Sequence, residues 1–242
     1  MRVKHELRRW VHRFGIDIVH YPLQDPLART VKLLHHHRVQ CVLDVGANDG
    51  GFATGIRELG YTGRIISFEP LEHPFKSLQR KASRDDKWDA MQYAIGDSKS
   101  EVTINVSGNA GLSSSVLPML ETHTDALPSS RYVGTEKVRQ ERLDELLPEL
   151  GVGPGARTFL KVDVQGYESA VLDGASNLLS NGVIVGLQLE LSLVPLYSGA
   201  MTYRDVLNRA DRLGMTLMGL DPVFADPATG QLLQADAVFF AN

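Results

Sequence analysis

Hydrophobic and polar positions follow two alternating patterns along this chain, and their order predicts an α/β protein. Short apolar runs, of the kind found in buried parallel strands, lie at 39–45, 64–70, 88–95, 158–164 and 183–191. Stretches with helical spacing of apolar residues separate them, at 51–59, 73–82, 168–179 and 203–213. Two final strands, 215–220 and 235–241, are joined too closely for a crossover and must be antiparallel. We therefore expect a mostly parallel, seven-stranded, Rossmann-like sheet with an antiparallel last strand and helices on both faces.

Three segments depart from this alternation. Residues 1–38 are predicted to form a helical extension, broken near Pro22 and Pro26, and residues 39–242 a single domain. Residues 101–106 alternate between apolar and polar, which predicts a half-exposed antiparallel strand. Residues 107–135 are rich in Ser, Gly and Thr without clear periodicity, which is typical of a lid or substrate-binding loop.

Composition narrows the class of protein. The 242 residues are 43% hydrophobic and 22% charged, as in ordinary globular domains, and the net charge of −4 gives no sign of nucleic-acid binding. The single cysteine, Cys41, fits a reducing compartment, and no signal peptide or membrane-spanning run is visible, so we expect a cytoplasmic protein. Apolar residues at helical spacing with arginines between them, in 7–14, favour packing on the domain or on a second subunit, with peripheral membrane contact as the alternative.

Candidate chemistry begins after the first strand. The segment Asp44-Val45-Gly46-Ala47-Asn48-Asp49-Gly50 is a strand end followed by a turn of small residues, where the backbone can approach a ligand. Its D-x-G-x-N-x-G spacing differs from the G-x-G-x-x-G of nicotinamide enzymes and is that of S-adenosylmethionine (SAM) methyltransferases. We assign Asp44, Gly46, Asn48 and Gly50 to cofactor binding, with a turn or helix-cap role for Asp44 as the structural alternative.

Further cofactor contacts are expected where the next strands end. Glu69 ends the second strand, where a carboxylate can accept both ribose hydroxyls, unless it is only an exposed strand-end charge. Asp97 follows the third strand and is predicted to reach the adenine amino group. Ser115 closes a small polar loop, Asn109 to Ser115, that either covers cofactor and substrate or is a flexible linker.

A second constellation is predicted to carry the catalytic chemistry. Lys161 and Asp163 share one face of the fourth strand, and Glu190 ends the neighbouring strand. An alcohol needs a general base at neutral pH, so Asp163 is the first candidate, Glu190 the second and Asp236 a further contributor. Asp163 and Glu190 could instead hold a divalent cation, or Lys161 and Asp163 form a purely structural pair. His123 is an outside candidate for the base, although we expect it on the surface.

At this point the chain resembles the FkbM-type methyltransferases, which are class I methyltransferases. The matching segments are 44–50, Phe68-Glu69-Pro70, Ala94-Ile95-Gly96-Asp97, 109–115, Arg142-Leu143-Asp144, 161–168, Leu189-Glu190 and 236–240. The resemblance implies SAM-dependent O-methylation of a sugar hydroxyl, on a glycolipid, surface polysaccharide or antibiotic scaffold. This chain has Gln165 where the family usually has Glu, which questions a carboxylate role at that position but not at Asp163.

The leading prediction is therefore a SAM-dependent O-methyltransferase that acts on a sugar, on a small molecule or a glycolipid. The alternatives are methylation of a polyketide or antibiotic scaffold, methylation of RNA or protein, and a SAM-binding module without catalysis. An RNA methyltransferase would need a basic face near the cleft, whereas only the first residues of this chain are basic.

Overall fold

The computed structural model describes Val11 and residues 25–241. The part of the predicted helical extension that includes residues 1–10 and 12–24 lies outside the described residues. In chain order the strands are β1 Cys41–Val45, β2 Arg64–Phe68, β3 Trp88–Met91, β4 Ala94–Ile95, β5 Ser100–Ser107, β6 Tyr132–Glu141, β7 Thr158–Val162, β8 Ile184–Ser192, β9 Met215–Ala225 and β10 Leu232–Ala241. The helices are α1 Pro26–His36, α2 Gly51–Glu58, α3 Glu72–Ala82, α4 Glu121–Ala126, α5 Leu143–Glu149, α6 Glu168–Asp173, α7 Ser176–Ser180 and α8 Tyr203–Arg212.

A seven-stranded sheet in the order β3-β2-β1-β7-β8-β10-β9 forms the centre of the fold. The strand pairs β1–β2, β2–β3, β1–β7 and β7–β8 are parallel, whereas β10 is antiparallel to both β8 and β9. The predicted mostly parallel sheet with an antiparallel last strand is thus confirmed. The order of the strands reverses between β1 and β7, and in such sheets ligands bind beyond the carboxyl ends of the strands at this point.

Both faces of the large sheet are buried, which explains the continuous apolar runs. Val42 and Phe159 belong to one hydrophobic cluster, with residues of α1, α2 and α3. Their chain neighbours Leu43 and Leu160 belong to the other cluster, with residues of α5, α6 and α8. Since successive side chains of a strand point to opposite faces, each apolar run supplies both clusters at once.

The predicted third strand, 88–95, is wrong in its extent. β3 ends at Met91, and β4 leaves the large sheet to pair with β6 in a separate three-stranded sheet of order β4-β6-β5. Gln92 is exposed at the point of departure. The half-exposed antiparallel strand predicted at 101–106 is confirmed as β5, which pairs with β6.

Two further predictions need correction. The segment 107–135 is not irregular throughout, because it contains α4, a short 3-10 helix at Pro128–Ser130 and the start of β6. The helix predicted at 168–179 is divided into α6 and α7 around Gly174. A Cβ at Gly174 would lie 1.9 Å from the carbonyl oxygen of Gly96, so this break lets the small sheet approach α6 closely.

Helix α1 belongs to the described part of the predicted N-terminal extension, and it packs against the sheet. The side chain of Asp25 accepts a hydrogen bond from the Ala28 N–H at 2.8 Å, and Pro26 occupies the first turn, where no N–H is needed. Arg29 forms an ion pair with Asp221 on β9. Within the described ranges, no helix combines the length and the apolar character needed to cross a membrane.

Candidate active site

A cleft of about 680 Å³, including its part open to solvent, lies beyond the carboxyl ends of β1, β2 and β7. Of the residues predicted from the sequence, the cleft wall includes Gly46, Asn48, Glu69, Ser115 and Asp163. The structure therefore brings predicted cofactor residues and the first candidate base to one cavity.

The turn that follows β1 is shaped by close backbone contacts. Gly46 has a φ of +76°, and a Cβ there would lie 1.8 Å from the carbonyl oxygen of Asp163, so only glycine fits. The N–H groups of Gly46 and Ala47 both donate to the Phe68 carbonyl oxygen at 3.0 Å. Gly50 has a φ of +85° at the start of α2 and packs against Trp88, away from the cleft wall. The turn is thus fixed against the ends of both β2 and β7.

Glu69 is held on the cleft wall by the backbone. Its Oε2 accepts the Asn48 N–H at 2.8 Å and its Oε1 accepts the Leu71 N–H at 2.9 Å, and the residue is buried. Burial raises the pKa of Glu69 to about 7, although the two N–H groups and Lys161 favour its ionised form. Each carboxylate oxygen keeps a free lone pair, so Glu69 can accept further hydrogen bonds from ligand hydroxyls.

Asp44 and Lys161 lie behind the wall and support it. The Lys161 Nζ donates to the Gly46 carbonyl oxygen at 3.1 Å and lies 3.2 Å from Asp44 Oδ1 and 3.6 Å from Asp163 Oδ2. Burial alone would lower the pKa of Lys161, but the carboxylates of Asp44 and Asp163 outweigh it and raise that pKa. Lys161 is therefore a permanent cation that links the turn to Asp163, and it cannot take up a proton.

Asp163 and Glu190, here called the acid pair, are joined by Gln165. The Gln165 Nε2 donates to Asp163 Oδ1 at 2.8 Å and to Glu190 Oε2 at 3.0 Å. Gln234 on β10 donates to the same Glu190 oxygen at 2.6 Å. The Asp163 side chain is 41% exposed and faces the cleft, whereas Glu190 lies behind it. The predicted convergence of these residues is present in the structure.

Several acidic groups surround Glu190 and set its protonation. Burial raises the pKa of Glu190 well above its ordinary value, and the negative charges of Asp163, Glu168 and Asp236 raise it further, with Lys161 opposing them. Burial and Asp163 also raise the pKa of Asp236 to about 6. The raised pKa favours the protonated form of Glu190, and the Lys161 Nζ lies beside Asp163, 3.6 Å from its Oδ2.

Two residues named as candidates lie elsewhere. Asp97 is exposed and outside the cleft wall, and its side chain accepts a hydrogen bond from Ser98. His123 was expected on the surface, but it is buried between Tyr197 and Phe224, and burial lowers its pKa to about 4. Such a neutral, enclosed ring does not reach the cleft. Among the described residues, no group of three or more His, Cys, Asp or Glu is arranged to hold a metal ion.

Sequence reasoning missed the apolar half of the cleft. Leu71, at the start of α3, lines this side together with residues of the small sheet and its connections, namely Tyr93, Ala94, Ile95, Ile104, Leu112 and Val116. The alternating pattern of β5 was a usable signal, because its inward residue Ile104 had to face something apolar. Most partners of Gln165 gave no local signal, since Ser115, Glu190 and Tyr197 are distant from it in sequence.

Comparison with known proteins finds a family model that matches this chain and a curated protein that is similar to it. The family model described as "Methyltransferase FkbM domain" matches residues 44–215. The 2-O-methyltransferase NoeI of Sinorhizobium fredii (strain NBRC 101917 / NGR234) is 26% identical over 173 residues, which is 69% of this chain and 69% of that protein.

Solved structures with a related shape are more distant. Methyltransferase FkbM from Methylobacillus flagellatus KT aligns with a TM-score of 0.47 and 14% identity, over 82% of this chain but only 43% of the crystallised one. The magnesium protoporphyrin IX methyltransferase ChlM from Synechocystis PCC 6803, solved with bound SAM, aligns over 99% of this chain and 97% of that one, with a TM-score of 0.46 and 13% identity.

Proposed function

Because the chain belongs to the FkbM methyltransferase family, we propose that it transfers a methyl group to a hydroxyl of a sugar. S-adenosylmethionine is the cofactor, as the spacing of the turn predicts. The similarity to a 2-O-methyltransferase supports an oxygen atom as the acceptor. The observation that carries the proposal is that Asp163 and Glu69 lie on the wall of the same cleft.

The residues of the cleft fit a nucleoside that carries an amino-acid tail. Gly46 and Asn48 have positive φ angles and give the wall a surface free of long side chains beside Glu69. Glu69 would accept the ribose hydroxyls, and the apolar half of the cleft would enclose the base. When bound, the cofactor supplies an activated methyl group on a sulfonium.

The protein supplies alignment and proton removal. The half-exposed side chain of Asp163 faces the cleft. Its carboxylate can therefore accept the proton of an acceptor hydroxyl that lies within hydrogen-bond reach. Lys161 and Gln165 hold that carboxylate in place. Asp163 is on the cleft wall and Glu190 is not, and the raised pKa of Glu190 favours its protonated form, so Asp163 is favoured over Glu190 in this role.

The acceptor class is tested by mass spectrometry. The protein is incubated with SAM and a panel of acceptors that contains methyl glycosides, deoxysugar glycosides, glycolipids, a polyketide aglycone, an amine and a short RNA. We expect a gain of one methylene mass on a sugar hydroxyl, and resistance of the methylated diol to periodate cleavage maps the methyl group to one position. Product on the amine or the RNA alone would contradict the proposal, and product on the aglycone would favour an antibiotic scaffold.

A SAM-binding module without catalysis is the alternative of another class. Calorimetry with S-adenosylhomocysteine (SAH) that shows binding, together with no transfer to any acceptor, would support it. The cytoplasmic location stays part of the proposal, since Cys41 is a free, buried thiol whose pKa burial raises to about 11. A glycolipid acceptor, a homodimer and peripheral membrane contact also stay proposals.

A further inference from the structure

Gln165 occupies the position between the two carboxyl groups of the acid pair. Its side chain is buried, and its Nε2 lies 2.8 Å from Asp163 Oδ1 and 3.0 Å from Glu190 Oε2. A side-chain amide has two N–H donors, so one hydrogen serves each carboxyl group. The two acids are thereby joined by one neutral group.

The orientation of this amide is fixed by its other neighbours. The Tyr197 hydroxyl, which is buried, donates to Gln165 Oε1 at 2.8 Å. The Gln165 backbone has a φ of +55°, and its carbonyl oxygen accepts the Ser115 hydroxyl at 2.7 Å. Rotating the amide by half a turn would place its oxygen against two carboxyl oxygens, which is unfavourable. The N–H groups therefore face the acids.

We propose that Gln165 is a positioning residue whose amide bridges Asp163 and Glu190 and takes the place of a cation between them. The expected effect of this bridge on turnover rests on the proposed function, in which Asp163 is the base, whereas the bridge itself does not. A divalent cation between two carboxylates needs oxygen atoms at about 2.0 to 2.6 Å, and here a nitrogen donor fills that point. A glutamate at this position would instead bring a third carboxylate into a buried acidic cluster, where it needs a counter-ion.

The charges around the bridge support this assignment. Asp163 faces Lys161 on its own strand, and Glu190 faces Glu168 from α6, Asp236 from β10 and the ring of Tyr197. Lys161 is the cation that these neighbours share. Since one lysine already pairs with Asp44 and Asp163, another negative charge has no described cation to neutralise it.

The test compares Gln165→Glu with two matched substitutions. Gln234→Glu adds a carboxylate next to Glu190 only, and Gln79→Glu adds one on the exposed surface of α3. For Gln165→Glu we expect kcat to fall by about 10-fold or more with KM for SAM unchanged, and the acid limb of the kcat profile to move to higher pH. We also expect this variant alone to bind Mn²⁺ in calorimetric titration with MnCl₂, and Mn²⁺ to restore part of its activity.

A second variant covers a failure of Gln165→Glu to fold, which circular dichroism and SAH binding reveal. Gln165→Met removes both N–H donors without adding charge, and we expect it to lower kcat and alter the pH profile without creating a Mn²⁺ site.

The proposal is overturned if the Gln165 variants keep the wild-type kcat and pH profile, or if wild-type protein binds Mn²⁺ as tightly as Gln165→Glu. The Mn²⁺ titration needs no acceptor, so it decides the bridge even where no methyl transfer is found and the proposed function itself fails.

Discussion

Two parts of the site, the cofactor half formed by the turn after β1 with Glu69 and the acid pair of Asp163 and Glu190, are built in different ways. The cofactor half is made of backbone, because the turn after β1 donates to Phe68 and its Asn48 N–H binds Glu69. The acid pair is held by side chains from two strands, β8 and β10, and the loop after β7, through Gln165 and Gln234. A backbone site depends on which residues can adopt its conformation, whereas a side-chain site depends on charge and donor balance. Substitutions in the first half should weaken cofactor binding, and those in the second should slow turnover.

The largest effect is expected from Gly46→Ala. A Cβ at this position would meet the Asp163 carbonyl oxygen at 1.8 Å, and the φ of +76° adds strain, so the turn must move away from β7. We expect SAH binding to fall by at least about 100-fold, or the protein to unfold, measured by calorimetry and circular dichroism.

Gly182→Ala is the matched control for this substitution. Gly182 has a φ of +68° but open space around it, so it isolates the strain from the collision. We expect a loss of about 1 kcal/mol of stability and unchanged SAH binding. Equal behaviour of the two variants would show that the close approach to Asp163 is unimportant.

Asp163→Asn should separate binding from turnover. The amide keeps an oxygen that can accept from Gln165 but cannot take a proton, so we expect turnover to fall by about 10²-fold or more while SAH affinity stays within about 2-fold. Steady-state kinetics and calorimetry measure the two quantities. The exposed Asp211→Asn is the control, and full activity in Asp163→Asn would end its assignment as the base.

Glu69→Gln should weaken cofactor binding by a smaller factor than Gly46→Ala does. We expect SAH affinity to drop about 10-fold, since a hydrogen bond to a charged group is worth more than one to an amide. Because the pKa of Glu69 is raised to about 7, its ionised form gains population as the pH rises through neutrality. Wild-type SAH affinity should therefore rise between about pH 6 and pH 8, and the rise should vanish in Glu69→Gln. An identical pH dependence in both proteins would contradict this role.

The smallest effect concerns stability without ligand. Burial raises the pKa values of Glu69 and Glu168 to about 7, so the folded state binds these protons more tightly than the unfolded state. The free energy of unfolding should then decrease as pH rises from about 5 to about 8 and level off above. We expect Tm to fall by several degrees over this window, and by less in Glu168→Gln, whose amide oxygen can still accept the Gly166 N–H. The exposed Glu58→Gln should match wild type.

The sequence predicted the large sheet well because each buried strand carries its own signal. Continuous apolar runs marked β1, β2, β7 and β8, and the short final connection fixed the antiparallel hairpin. The strand at 88–95 failed because its second half pairs with β6, a partner that lies far along the chain. Asp97 was assigned to the cofactor on the basis of that strand, and it lies outside the cleft for the same reason.

The candidate site was predictable where one segment makes it and not where several do. The turn after β1 and Glu69 follow from motif and strand order, although their roles stay predictions. Gln165 was noticed only as a departure from the family pattern, because its partners Tyr197 and Ser115 come from distant loops. His123 was misplaced since the rings that bury it belong to other segments.

A crystal structure of the protein with bound SAH would show which residues the ribose and the sulfur contact. We expect the ribose hydroxyls within about 3 Å of the Glu69 carboxylate, and the sulfur directed towards Asp163, with the bridge of Gln165 intact. SAH bound at another place, or with its sulfur directed away from Asp163, would show that both residues have been assigned wrongly.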